Sequence, residues 1–139
     1  MNAQTEHPLI PLIHIWQQNM NTSHTAQLTL LNSPISDEWD ILALQELALN
    51  SLGNTRASSH WRVVYPIHKF THGEKPRVVS LVNSKISTNT WQQIPFPLKD
   101  VVVIQFNMSG GWCTIVNIYK NNNHNKTVEE LGRFMNTNI

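Results

Sequence analysis

A chain of 139 residues has room for one domain with a hydrophobic core and not for two. Hydrophobic residues make up 40% and charged residues 14%. An average soluble domain is about 25% charged, so Asn, Gln, Ser and Thr carry much of the polarity here. The formal net charge of +1 excludes a global basic field that would draw the chain onto nucleic acid.

The opening residues 1–12 are expected to be a flexible tail, and residues 13–139 one domain. Ile13 to Asn19 alternates weakly and is rich in strand formers, which predicts a strand ending near Asn19. Asn21-Thr22-Ser23 is a cluster of potential helix caps. Ala26, Leu28, Leu30 and Leu31 then recur at helical spacing, giving a helix from Ser23 to Asn32 that Pro34 ends. Asp37 to Asp40 is a loop. Ile41-Leu42-Ala43-Leu44 is a continuous apolar run closed by Gln45-Glu46, as expected for a strand buried on both faces. Strand, helix and buried strand make a βαβ unit with parallel strands.

The second half reads as a series of strands: Trp61–Tyr65, Arg77–Val82, Asp100–Phe106 and Trp112–Tyr119. Ser109-Gly110-Gly111 joins the last two as an antiparallel hairpin. After a polar Asn-rich stretch, Thr127 with Glu130 three residues on opens a final helix through a capping box. Cys113 is the single cysteine, so no internal disulfide is possible. No apolar run approaches the roughly 20 residues needed to span a bilayer. Leu9 to Ile15, broken by Pro11 and His14, is too short for a signal-peptide core. An intracellular location with no membrane partner is expected, and the sequence gives no strong evidence for a protein partner.

Asn19 and Glu46 fall at the C-terminal ends of the two expected parallel strands, the edge where ligand sites gather in open α/β sheets. A carboxylate beside a carboxamide oxygen is a pair of hard ligands, better suited to Mg²⁺ than to Zn²⁺. On spacing alone, a solvated strand end and a turn residue describe the pair more economically. His68 and His72 stand four apart, but Pro66 and Gly73 bracket them and no third zinc ligand is evident. His124 lies in the Asn-rich stretch with nothing nearby to orient it. Lys69, Lys75 and Arg77, with Trp61 and Phe70, make a modest basic and aromatic patch able to touch a DNA backbone, although solvated loop cations are the plainer description.

Three ordered motifs add to this. Asn19-Met20-Asn21 after a strand, Leu44-Gln45-Glu46 ending the second strand, and Val116-Asn117-Ile118-Tyr119 ending a later one resemble those of the endonuclease/exonuclease/phosphatase superfamily. The flavour is most similar to the apurinic-type endonuclease domain of LINE-type, non-LTR retrotransposons. Trp61 to Pro66 and Arg77 to Asn83 also look like the segments between those motifs.

The resemblance implies an α/β fold, the N-terminal half of a four-layer two-sheet sandwich. It implies Glu46 and Asn19 as metal-site residues and Tyr119 as a phosphate-contacting catalytic residue, with Asn117 in support on the same side of the strand. It further implies Mg²⁺ or Mn²⁺ as cofactor, DNA as partner, and the nucleus as the place of action. Leu47 after Glu46 and Lys120-Asn121 after Tyr119 depart from the family pattern, and no Gly-Asp, Asp-x-Asn or Asp-His pair follows Tyr119. The expected function is therefore a truncated metal-dependent DNA endonuclease domain of retrotransposon origin, inactive alone. The alternatives are a non-catalytic remnant that binds a partner, or an unrelated β-rich binding domain.

Overall fold

A computed structural model describes residues 9–50, 52–55, 58–67, 75–98, 100–119 and 133. Strand β1, Ile15–Asn19, leads into helix α1, His24–Leu31, and then β2, Ile41–Gln45. Strands β3, Trp61–Val64, β4, Val78–Asn83, β5, Trp91–Ile94, β6, Val101–Met108, and β7, Gly111–Ile118, follow.

These strands make two sheets. One has the order β1-β2-β4-β3 and the other β5-β6-β7. β1 and β2 are parallel, with Ile15 opposite Ile41 and Asn19 opposite Gln45, so the expected βαβ unit is present. β4 pairs antiparallel with both β2 and β3. The architecture is α/β, a partial two-sheet sandwich with helix α1 against one face.

The patterning explains why the central strands read as unbroken apolar runs. All five residues of β2 and all six of β4 are buried. Leu42, Leu44, Val79 and Leu81 point one way, into a core with Met20, Leu31, Ile35 and Trp61 on the α1 side. Ile41, Val78 and Val82 point the other way and meet Val102, Ile104 and Phe106 of β6. A strand packed on both faces has no polar alternation to show. On the far side of the second sheet, Val101 and Val103 pack with Phe96.

Local signals account for the connections. Ser23 is the helix cap, its hydroxyl accepting the Ala26 N–H at 3.1 Å. Asn21 and Thr22 instead adopt left-handed backbone, φ 55° and 54°. Pro34 closes the helix by starting a 3-10 turn, Pro34–Asp37, in place of the first residue of the expected loop. The β6–β7 hairpin turns on Ser109 and Gly110, with Met108 opposite Gly111. Gly111 has φ +124°, a conformation that only glycine adopts without strain.

Strand β5 was not among the expected elements. Trp91-Gln92-Gln93-Ile94 holds two polar residues in the middle and is followed by Pro95, so composition gives little strand signal. Register against β6, with Trp91 opposite Phe106, makes it a strand. In the opening segment, Ile10 is docked: it bridges Met108 and its carbonyl accepts the Ser109 N–H at 3.0 Å. The expected helix from Thr127 lies outside the described residues.

Candidate active site

The C-terminal edge of the parallel pair is built from three backbone hydrogen bonds, two between the ends of β1 and β2 and one from β2 to the start of β4. Met20 N–H donates to the Gln45 carbonyl at 2.8 Å, and Thr22 N–H donates to the Glu46 carbonyl at 2.7 Å. Glu46 N–H donates to the Arg77 carbonyl at 2.7 Å, which ties the same residue to the start of β4. Glu46 is thereby held by its neighbours on both sides with φ 50°, in the left-handed region. A non-glycine residue there costs about 1–2 kcal/mol. Such strain persists only where surrounding contacts over-determine it, and it concentrates at functional sites.

Asn19 sits on this edge directly opposite Gln45 and is exposed. Its Oδ1 accepts the Asn21 N–H at 2.8 Å, which fixes the carboxamide over the turn that follows β1. Glu46 is half-buried, and its Oε1 accepts a hydrogen bond from the Tyr119 hydroxyl at 3.0 Å, across 73 positions of sequence. Tyr119 follows β7 immediately, and its N–H donates to the Asp100 carbonyl at 3.0 Å. The guanidinium of Arg77 lies 5.3 Å from the centroid of the Tyr119 ring. Two sheets thus meet where a phenol donates to a carboxylate, with a guanidinium over the phenol ring.

Asn117 is placed beneath this arrangement, 2% exposed. Its Nδ2 donates to the Leu44 carbonyl at 3.3 Å, the Val79 carbonyl at 3.1 Å and Ser80 Oγ at 3.1 Å. Its Oδ1 accepts from Gln45 Nε2 at 2.6 Å. Gln45 in turn accepts from Gln17 on β1. Room for the carboxamide comes from the register, since the small side chains of Ala43 and Ser80 stand opposite each other on β2 and β4. Asn117 therefore pins β7 to the other sheet two residues before Tyr119, and it acts on the site through the position that it gives that strand.

Two expected features are revised. Trp61, placed with the basic and aromatic patch, is 5% exposed and packs in the core against the α1 side of the sheet, so it has no face to offer nucleic acid. Arg77, read as one member of a diffuse patch, stands over Tyr119. His68, Lys69, Phe70, His72 and His124 lie outside the described residues. The sequence reading missed Arg77 as a site residue and the left-handed turns at Asn21, Thr22 and Glu46. An Asn-x-Ser cluster after a strand was the one visible hint of the first turn.

Among the described residues, no three His, Cys, Asp or Glu side chains gather as a metal cluster. The edge offers one carboxylate and one carboxamide oxygen. Both retain acceptor capacity: Glu46 Oε2 is not used by Tyr119, and a carboxamide oxygen has a second lone pair.

No family model matches the chain, and no curated protein matches it. Among solved structures it is similar to the endonuclease domain of TRAS1, a telomere-specific non-LTR retrotransposon, with a TM-score of 0.64 and 15% sequence identity. The match covers 88% of this chain and 53% of that one, so the chain spans about half the length of the structure it resembles. The chain has the fold of the corresponding part of that endonuclease domain. The resemblance to non-LTR retrotransposon endonucleases drawn from the three motifs is matched by the fold.

Proposed function

We propose that Asn19, Glu46 and Tyr119 form the first part of a metal-dependent phosphodiester-hydrolysing site, in a domain of retrotransposon-endonuclease origin whose substrate class is DNA. The observation that carries this is the Tyr119 hydroxyl on Glu46 Oε1 at 3.0 Å, joining two sheets at the ligand-binding edge of a parallel pair. A left-handed Glu46 supports it, because a solvated strand end gains nothing from a strained glutamate where glycine or asparagine would sit more easily.

The donor set fits Mg²⁺ or Mn²⁺. Such ions take one or two carboxylates, keep several waters and complete their shell with substrate phosphate. Glu46 and Asn19 would hold the ion, and a bound ion would polarise a phosphoryl oxygen and stabilise the leaving alkoxide. Tyr119 presents its O–H beside the carboxylate, where it can donate to a phosphate oxygen as charge builds. Arg77, stacked on that ring, adds positive charge next to the same position. On this reading the partner is DNA and the compartment is the nucleus.

None of the Gly-Asp, Asp-x-Asn or Asp-His pairs of the family pattern follows Tyr119. The 139 residues by themselves are therefore expected to bind metal and not to cleave. Incubation with supercoiled plasmid and Mg²⁺ tests both halves of this statement. The expected result is no nicking above buffer. Nicking that disappears in Glu46→Gln would overturn the inactivity and uphold the site, and nicking indifferent to Glu46 would overturn the site.

A further inference from the structure

A cavity of about 300 Å³ opens between helix α1 and the segment that follows β2. Its walls start next to the candidate site on both sides. Thr22 N–H is bonded to the Glu46 carbonyl, and the lining begins two residues beyond each, at His24 and at Ala48. His24, Gln27 and Leu28 are one helix face at i, i+3 and i+4.

Hydrogen bonds tie the walls of the cavity together. Gln27 is 2% exposed, its Oε1 accepts the Ala48 N–H at 3.0 Å, and its Nε2 donates to Thr55 Oγ1. The far wall is a self-bonded turn. Asn50 Oδ1 accepts the N–H groups of Leu52 and Asn54 at 2.9 and 3.0 Å, and Asn50 N–H donates to the Asn54 carbonyl at 2.9 Å. That turn holds Leu52 out in solvent at 76% exposure, the most exposed large apolar side chain among the described residues.

The chemistry of the lining narrows the ligand. Among the described residues, no Asp, Glu, Lys or Arg side chain lines the cavity. Leu28, Ala48 and Leu49 supply apolar surface, while His24 and the carboxamide of Asn54 supply an aromatic face and hydrogen-bonding groups. That combination suits a neutral, flat, heteroatom-bearing group, and the volume lies at the small end of the roughly 300–1,000 Å³ typical of ligand pockets.

We propose that this cavity takes the nucleobase of a nucleotide flanking the phosphate bound at Glu46, with Leu52 packing against the adjoining sugar or base. This inference rests on the phosphodiester-hydrolysing reading of the site, and it assigns base recognition to His24, Gln27, Leu28, Ala48, Leu49 and Asn54, with Leu52 beside them.

The test titrates the isotope-labelled 139-residue chain with adenosine, guanosine, cytidine and thymidine, and separately with ribose 5-phosphate, following backbone amide shifts. A fluorescein-labelled DNA duplex is titrated in parallel, with Mg²⁺, by anisotropy. Nucleosides are expected to shift the amides of His24, Ala48 and Asn54, with ribose 5-phosphate leaving them in place. His24→Ala, which removes an exposed ring, and Ala48→Met, which fills the cavity, are expected to weaken nucleoside and duplex binding about fivefold or more. Equal shifts from ribose 5-phosphate, or no nucleoside shift in the cavity, overturn the inference. If duplex binding then still requires Glu46, the phosphodiester reading survives that failure. Nucleoside shifts in the cavity without any duplex binding overturn the phosphodiester reading and leave a nucleoside site.

Discussion

Asn117→Ala isolates the joint on which the candidate site stands. In the native chain the two Nδ2 hydrogens of this buried carboxamide are shared among three acceptors on β2 and β4, and its Oδ1 accepts from Gln45 Nε2. Truncation leaves Gln45 Nε2 with only the Ala43 carbonyl at 3.4 Å, in a side chain that is 7% exposed. A buried polar group left short of a partner costs about 1–3 kcal/mol, and each lost bond contributes about 1 kcal/mol net. With relaxation of the carbonyls and Ser80, the sum is about 3–4 kcal/mol. Asn117→Asp is expected to cost more, because a carboxylate would face the Leu44 and Val79 carbonyl oxygens in a dry interface. Urea unfolding followed by tryptophan fluorescence measures both, with exposed Asn89→Ala as a control expected to stay within about 0.5 kcal/mol. A loss below about 1 kcal/mol for Asn117→Ala would refute the idea that this side chain clamps the sheets together.

Two further variants separate strain from chemistry. Glu46→Gly relieves left-handed backbone worth about 1–2 kcal/mol and loses one half-buried hydrogen bond worth about 1 kcal/mol. Its stability is therefore expected within about 1 kcal/mol of the native chain, whereas β-branched Glu46→Val should be clearly less stable. Equal midpoints for the two variants in thermal or urea unfolding would show that Glu46 is not strained. Tyr119→Phe keeps the ring beneath Arg77 and removes only the donor to Glu46, so a stability loss of about 1 kcal/mol or less is expected. Calorimetric Mn²⁺ titration should find its affinity unchanged or higher, since a carboxylate oxygen is released. An affinity loss as deep as that of Glu46→Gln would instead make the phenol part of the metal site.

The sequence exposed those parts of the fold that depend on short-range pattern. The β1-α1-β2 unit was legible because Ser23 caps, Pro34 stops, and Ile41 to Leu44 is apolar throughout. The positions of Asn19, Glu46 and Tyr119 at strand ends were legible for the same reason. What was hidden depends on register and on the meeting of two sheets. β5 is a strand because Trp91 finds Phe106, not because of its own composition. Asn117 gave no sign of being a buried clamp, since the partners that satisfy it lie 37 to 73 positions away. Arg77 looked like one more loop cation until the end of β7 was laid beside it. The left-handed conformation of Glu46 could not be anticipated, because local propensity argues against it and only the bonds to Thr22 and Arg77 impose it.

The central claim, that Glu46 and Asn19 hold a divalent metal beside Tyr119, is tested most directly by paramagnetic broadening with Mn²⁺. The account predicts that substoichiometric Mn²⁺ bleaches the amides around Asn19, Glu46 and Tyr119 first, that Mg²⁺ competes it away, and that Glu46→Gln abolishes the effect while the rest of the spectrum is unchanged. Broadening centred on Asp37 and Glu38, or broadening at the edge of β1 and β2 that survives in Glu46→Gln, would contradict it.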